Sequence, residues 1–332
     1  MTDPLLSVCD LSVEFDTNDG TARAVDGVSF DVSRGETVCV VGESGSGKTV
    51  TCESITRLTE GNAGGEVRFE DTDLLALPDE RLREYRGSRV SYVFQNPQNT
   101  LDPVYTVGEQ LAESVAEHAD EGVDHEARAV ELLDRVDIPD PSVRSDDYPH
   151  EFSGGMKQRV AIARALAGDP DLIVADEPTT ALDVTLESQI LNLLADLQRE
   201  RGTAILFVTH DMGVVAEIAD RVVVMYGGNV MERGPVGEVF ADPGHPYTQA
   251  LLGSLPDGDD LPEPIPGAPP DPTEDTSGCR FHPRCAHAIE ACRRDDSPPD
   301  FELGDGREVA CVHYEDADAP AAALGEPGGD DP

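Results

Sequence analysis

Lysine is almost absent from this 332-residue chain: of its 24 basic residues, only Lys48 and Lys157 are lysines. Positive charge of any kind is scarce. With 24 basic residues against 67 acidic ones the formal charge is −43, which excludes a generic polyanion-binding surface, so no nucleic-acid partner is expected. Long apolar runs are missing too. None approaches the roughly 20 residues that a bilayer-crossing helix needs, and Met1-Thr2-Asp3-Pro4 does not resemble a signal peptide. A soluble or peripheral protein on the cytoplasmic side is expected.

What is present suffices for an ordinary core, since 39% of the residues are hydrophobic, enough for one large domain and a smaller appendage. Asp and Glu run through segments with clear helix and strand patterns, so disorder is expected only at the termini, above all from Glu315 to Pro332. The charge fits adaptation to molar salt, where the Debye length falls to about 3 Å and self-repulsion is screened. A salt-accumulating halophile is the expected source.

One of the two lysines stands in the most informative stretch, Gly42-Glu43-Ser44-Gly45-Ser46-Gly47-Lys48-Thr49. An apolar strand is expected before it, Thr37 to Val41, and a helix after it, Lys48 to Leu58. Glycines let the backbone wrap phosphate oxygens, the Lys48 ammonium can reach the β/γ-phosphates, and the Thr49 hydroxyl can bind Mg²⁺. A Gly/Ser-rich surface turn would need neither flank. Further on, Leu172 to Ala175 reads as a buried strand that delivers Asp176 and Glu177 at its C-terminal end, where open parallel sheets bind ligands. Asp176 would serve Mg²⁺, and Glu177 would accept a proton from the water that attacks the γ-phosphate. Ahead of it, Ser153-Gly154-Gly155-Met156-Lys157-Gln158 opens a helix with amides aimed at an anion. One γ-phosphate does not need two cradles. A head-to-tail dimer, with each ATP between one subunit's phosphate loop and the other's Ser-Gly-Gly turn, resolves this; a plain helix cap is the alternative for Ser153 taken alone.

Around these motifs, strands are predicted at Leu6 to Phe15, Thr21 to Val32, Glu66 to Phe69, Val90 to Phe94 and Ala204 to Thr209, the first pair meeting near Asn18-Asp19-Gly20. Helices are predicted at Val107 to Ala119 and Glu126 to Val136 as an insert, then from near Gly155 through Ala167, and around Leu186 to Arg199. A hairpin, Val222 to Tyr226 and Asn229 to Glu232, should close the domain. A proline-rich linker follows, from Leu255 to Pro272.

In this combination and order, across roughly residues 5 to 235, the chain resembles the nucleotide-binding subunits of ATP-binding cassette (ABC) transporters. The resemblance implies an α/β fold: a P-loop NTPase (RecA-like) core with an antiparallel β subdomain and a helical insert, about residues 97–165, within a domain of residues 1–240. It implies that Phe15 stacks on adenine, that Gly42 to Val50 hold the phosphates, and that Gln95 in VFQNPQ senses Mg²⁺ and the transport subunit. Ser153, Gly154 and Gly155 match the family signature, with Met156 in place of the commoner glutamine. Ala181-Leu182-Asp183 matches the loop that crosses the dimer interface, and His210 in VTHD the switch histidine at the γ-phosphate. Lys48, Glu177 and His210 would carry catalysis, with Thr49, Gln95 and Asp176 around Mg²⁺.

His245 to Pro256 (HPYTQALLGSLP), Pro266 to Pro270 and Gly278 to Ala288 resemble the C-terminal extension of oligopeptide, dipeptide and nickel importer ATPases, here residues 241–314. The implied function is ATP hydrolysis that drives import, of peptides first and of nickel or an oligosaccharide otherwise. The implied partners are two membrane permeases, a second ABC ATPase (a different subunit, or a second copy) and, indirectly, an extracellular solute-binding protein. Gly64-Gly65-Glu66-Val67 and Thr100 to Gln110 look more like the first ATPase of such a pair. A soluble ABC ATPase acting on DNA or ribosomes is the reading from another class; it would call for a long coiled-coil insertion or two tandem cassettes. A non-hydrolysing subunit would not need Lys48, Glu177 and His210 together.

Four of the seven cysteines, Cys279, Cys285, Cys292 and Cys311, crowd into this extension, with five, six and eighteen residues intervening. These are not the tight pairs of most zinc ribbons, and a cytoplasmic chain has little use for disulfides, so one iron–sulfur cluster, [4Fe–4S], is expected ahead of zinc, with disulfides or free thiols behind both. Some importer ATPases that the extension resembles carry such a cluster, which implies a structural or regulatory role. Arg280, Arg284, Arg293 and Arg294 are expected to offset its thiolate charge.

Overall fold

The computed structural model describes residues 3–18, 20–95, 100–118, 122–180, 182–255, 265–273, 277–294 and 297–315. Asp19, residues 96–99, Ala119, Ala181, residues 256–264 of the expected linker and residues 316–332 of the expected tail lie outside them. In chain order the strands are β1 (Leu6–Thr17), β2 (Gly20–Val32), β3 (Thr37–Val41), β4 (Asn62–Phe69), β5 (Thr72–Asp73), β6 (Val90–Val93), β7 (Leu172–Asp176), β8 (Ala204–Thr209), β9 (Arg221–Tyr226), β10 (Asn229–Pro235), β11 (Phe301–Gly304) and β12 (Arg307–Val309). The helices are α1 (Lys48–Ser54), α2 (Asp79–Arg83), α3 (Val107–His118), α4 (His125–Arg135), α5 (Pro141–Arg144), α6 (Gly154–Ala165), α7 (Val184–Arg201), α8 (Met212–Ile218), α9 (Val236–Ala241) and α10 (Pro246–Gly253). They pack as two compact units, each built from separated stretches of chain.

The first unit comprises residues 1–6, 32–37 and 69–208. Its centre is parallel, β8 beside β7 beside β6, with Leu172 opposite Ala204 and Asp176 opposite Val208. All five residues of β7 are buried, as its unbroken apolar run requires when both faces are covered. The helical insert is present at nearly the predicted limits as α3 and α4, with Leu111, Val115, Leu132 and Leu133 buried. Side-chain caps set several helix starts: Asp124 accepts from the Ala127 N–H, Ser153 from Met156 and Asp183 from Leu186. Left-handed Gly202, φ 67°, stops α7.

Four charged side chains join segments distant in sequence within this unit. Asp171 takes Arg34 and Arg89, and Glu70 takes the same two arginines.

The second unit comprises residues 7–31, 38–68 and 209–332. One sheet runs β2, β1, β4 and another β11, β12, β10, β9, β3, with β3 parallel to β9. The predicted hairpin is β9 with β10, but it does not end the sheet. β12 pairs with β10, setting Val309 opposite Glu232, and β11 pairs with β12. Sequence reading missed both added strands because they are short, carry charged residues and bury few positions. Arg233, which reaches Asp300 and Glu308, ties them down. The helix after the phosphate loop also differs, ending at Ser54 rather than Leu58. The Ser54 hydroxyl bonds back to the Val50 carbonyl at 2.6 Å, and Arg57 turns left-handed at φ 52°.

Burial alone would raise the Asp171 carboxyl, but hydrogen bonds from Arg89 and Arg34 and their charges hold it below the ordinary aspartate value. A depressed acid stabilises the fold above its unfolded pKa of about 3.9, and that contribution fades as pH falls through the lower folded value. Asp171→Asn should therefore lower the melting temperature at pH 7 by the equivalent of about 1 kcal/mol at most, since the network is half exposed. Thermal scans should find the gap to the parent narrowing below pH 4, and an equal gap at pH 7 and pH 3 would rule out the linkage.

Candidate nucleotide site and cysteine module

In the second unit, β3 delivers the chain into a loop where three glycines are needed for different reasons. An added Cβ on Gly42 would stand 2.1 Å from the Met225 carbonyl oxygen, and one on Gly47 would stand 2.5 Å from that of Ala24. Gly45 meets no obstacle but has φ 80°. Lys48 is buried and folds over the loop, donating to the carbonyls of Gly42 at 2.7 Å and Glu43 at 2.9 Å, and to the Ser46 hydroxyl at 3.4 Å. Ser44, Gly45 and Thr49 face solvent, Ser46 is buried, and Val50 is half-buried on α1. This arrangement gives a ring of backbone groups with an ammonium inside it, the apparatus of a polyphosphate cradle. Phe15, half-buried on β1, lies beside Gly61. His210 is exposed just beyond β8, and the next residue, Asp211, caps α8 by accepting from Gly213 and Val214.

In the first unit, β7 ends in buried Asp176, and Glu177 follows in a left-handed conformation, φ 43°, rare for a residue with a side chain. Its N–H donates to the Val208 carbonyl at 2.9 Å. Its carboxylate accepts from Gln95 Nε2 at 2.9 Å and from the Thr180 hydroxyl at 2.8 Å. The structure thus brings Gln95 to Glu177 through the amide nitrogen, while the amide oxygen is the end a cation would take. Thr180 had not been singled out. Only its spacing of three residues from a carboxylate could have signalled it. Ser153 and Gly154 are exposed at the start of α6, Gly155 is buried against Leu186, and Asp183 caps α7.

The extension supplies residues that sequence reading valued wrongly. Arg284 was expected to serve the cysteines. Instead it makes a two-pronged ion pair with Glu43 of the phosphate loop and reaches the Tyr226 hydroxyl at 3.1 Å. Arg280 binds Asp26, Arg293 pairs with Glu290 at 3.8 Å, and Arg294 pairs with Glu315. All four arginines engage carboxylates because an acid-rich chain offers these as the stronger partners. Tyr226, Tyr247 and Phe281 form a ring cluster with centroids 4.7 to 5.2 Å apart, seating the extension on β9.

The cysteines are all free thiols, three of them buried and Cys285 half-buried. Burial pushes Cys279 up to about 12 and Cys311 up to about 11, with the nearby cysteines adding to each, and Cys285 is raised for the same reasons. The four therefore share one neighbourhood. Among the described residues, however, no three or more His, Cys, Asp or Glu side chains form a group able to hold a metal ion, contrary to expectation. His245, buried and held neutral, with its pKa down to about 3 by burial and then by His313, accepts from the Tyr247 N–H through Nδ1. That leaves Nε2 as its donor, 4.0 Å from the Cys279 sulfur.

A parallel core, a glycine cradle with an enclosed lysine and paired carboxylates at a strand end define an ATP-binding cassette of the P-loop NTPase type. Residues 25–180 match the family described as ABC transporter, and residues 231–292 match the oligopeptide/dipeptide transporter C-terminal region. The chain is 47% identical to the oligopeptide transport ATP-binding protein OppD of Bacillus subtilis (strain 168), over 92% of this chain and 87% of the relative. It is 46% identical to the dipeptide transport ATP-binding protein DppD of the same strain, over 87% and 89%. Among solved structures, the dimeric cassette MJ0796, in a post-hydrolysis state bound to ADP and Pi, superimposes with a TM-score of 0.62 at 30% identity, covering 70% of this chain and 98% of that one. The chain belongs to the ABC transporter ATPases of the oligopeptide/dipeptide importer family, and it is an ATPase.

Proposed function

We propose that this ATPase couples ATP binding and hydrolysis to uptake of oligopeptides or dipeptides through two membrane permeases, working from the cytoplasmic face. The match of residues 231–292 to the oligopeptide/dipeptide region carries the cargo reading, supported by the likeness to OppD and DppD. No helix among the described residues is long and apolar enough to cross a membrane. In this reading residues 1–240 are the nucleotide-binding domain, 241–314 the importer extension and 315–332 an acidic tail. Cargo reaches the permeases from an extracellular solute-binding protein. A second ATPase, a different subunit or another copy, completes the assembly, and the dimeric form of MJ0796 supports such pairing.

The residue roles are those that the family resemblance implies. Phe15 stacks on adenine, and Gly42 to Val50, with Lys48, receive the phosphates. Glu177, steered by Gln95 and Thr180, takes the proton of the attacking water. His210 contacts the γ-phosphate, Ser153, Gly154 and Gly155 close on the nucleotide of the partner, and Asp183 lies at the dimer interface. Thr49, the Gln95 amide oxygen and Asp176 are oxygen donors suited to Mg²⁺, which when bound neutralises phosphate charge. Cys279, Cys285, Cys292 and Cys311 take a [4Fe–4S] cluster.

Proteoliposomes holding the complete complex, with ATP inside and the binding protein outside, test the cargo: peptide should accumulate, and uptake of nickel or oligosaccharide alone would overturn the assignment. Glu177→Gln should keep ATP binding, lose hydrolysis by about 100-fold or more and trap a closed dimer, whereas Lys48→Ala should weaken nucleotide binding itself. Hydrolysis at the parent rate by Glu177→Gln, where this subunit's phosphate loop is the only intact one, would remove Glu177 as base.

The net charge of −43 also supports a halophilic source. Lowering salt from molar to roughly 0.01 M extends screening from about 3 Å to about 30 Å. Circular dichroism should show unfolding on desalting, and equal heat stability at low and molar potassium chloride would sink this reading. Anaerobic purification should give a brown protein with iron and acid-labile sulfide, bleached by Cys285→Ser with nucleotide binding spared. Stoichiometric zinc without iron, or four freely titrating thiols, would refute the cluster.

A further inference from the structure

The second residue of the phosphate loop is an acid, Glu43, placed where a nucleotide brings several negative charges. Left alone, such a carboxylate would repel the ligand. Its side chain is held by Arg284, whose Nη2 meets Oε1 at 3.0 Å while Nη1 meets Oε2. The Arg284 side chain is only 5% exposed, and its other contacts fix its direction: Nε to the Pro266 carbonyl at 2.7 Å, Nη2 to the Ile265 carbonyl at 3.1 Å, Nη1 to the Tyr226 hydroxyl at 3.1 Å, and the guanidinium over the Tyr226 ring at 5.6 Å. Tyr247 adds a second hold, its hydroxyl accepting from the Glu43 N–H at 2.9 Å. A planar, preorganised fork therefore grips a carboxylate at both oxygens, the strong geometry for such a pair.

We propose that Arg284 is a positioning residue for nucleotide binding: it neutralises Glu43 and holds it away from the phosphates, so that the C-terminal extension sets the affinity of the phosphate loop for ATP. The ligand is the polyphosphate of the nucleotide already assigned to this loop, and the inference rests on that assignment. Coupling is reciprocal, so bound nucleotide also stabilises the extension around Cys285, the next residue along the chain.

A charge-rescue cycle in the full chain within its transporter complex tests this, reading ATP affinity with a fluorescent analogue and kcat separately from KM. Arg284→Gln should weaken ATP binding about tenfold, the size expected for one unscreened charge near the phosphates, with kcat at saturation changed by less than about twofold. Glu43→Gln should tighten binding by about threefold because it leaves the guanidinium uncompensated. The double variant should return to within about twofold of the parent, because no lone charge remains. Should Arg284→Gln bind ATP as the parent does while folded by circular dichroism, the proposal fails. It fails equally if the double variant is as weak as Arg284→Gln, the result expected if Arg284 merely anchors Pro266 and Ile265. If Arg284→Gln does not fold, Glu43→Gln decides alone, and loss of affinity there overturns the proposal. Lys48→Ala in the same assay reports whether the loop binds ATP at all, which separates failure of the site from failure of the coupling.

Discussion

The nucleotide chemistry of this protein depends on a steric constraint: the phosphate loop runs so close to neighbouring backbone that two of its positions admit no side chain. Gly42 abuts the Met225 carbonyl and Gly47 that of Ala24. The loop is thereby pinned to the end of β9 on one side and to β2 on the other, and the Gly228 N–H adds a bond to the Ser46 carbonyl at 3.0 Å. Only with the backbone so placed can the Lys48 ammonium reach back to Gly42 and Glu43 and stay buried. A buried ammonium is tolerated because backbone oxygens surround it.

The same economy of fixed parts recurs elsewhere. Glu177 occupies a strained backbone conformation, yet its carboxylate is aimed by two donors and its amide is tied to Val208. Strain at a residue so closely held suits the role of base proposed for Glu177. At the extension's root, buried Glu232 of β10 accepts from the amides of Gly244 and His245 and so anchors the start of α10, which presents Tyr247 to Glu43. A chain of buried polar contacts therefore leads from β10 to the phosphate loop, inside one compact unit.

Sequence alone revealed the parts of this design that follow from local pattern. β3, β7 and β8 are unbroken apolar runs, and the cradle follows the first of them, so their positions and the phosphate loop were legible. α3, α4, α6 and α7 emerged within a few residues of expectation because caps and apolar spacing agree. What escaped were contacts between residues far apart in the chain. Arg284 stands 241 positions from Glu43, and nothing in GCRFHPRC says that its arginine faces a carboxylate rather than a thiolate. The strands β11 and β12 escaped for a related reason: their stability comes from pairing with β10 and from Arg233, not from an apolar pattern of their own. The Tyr247 hydroxyl was hidden likewise, since HPY identifies a family but not the loop amide that the tyrosine meets.

The central claim is that the C-terminal extension holds the phosphate loop in its binding conformation. Hydrogen exchange read by mass spectrometry, on the full chain without nucleotide, measures this directly by following the amides of residues 42–49 in the parent and in Arg284→Gln. The account predicts that these amides, with Glu43 foremost, exchange faster in the variant while those of β7 keep the parent rate. Unchanged protection across residues 42–49 in a folded Arg284→Gln protein would contradict it.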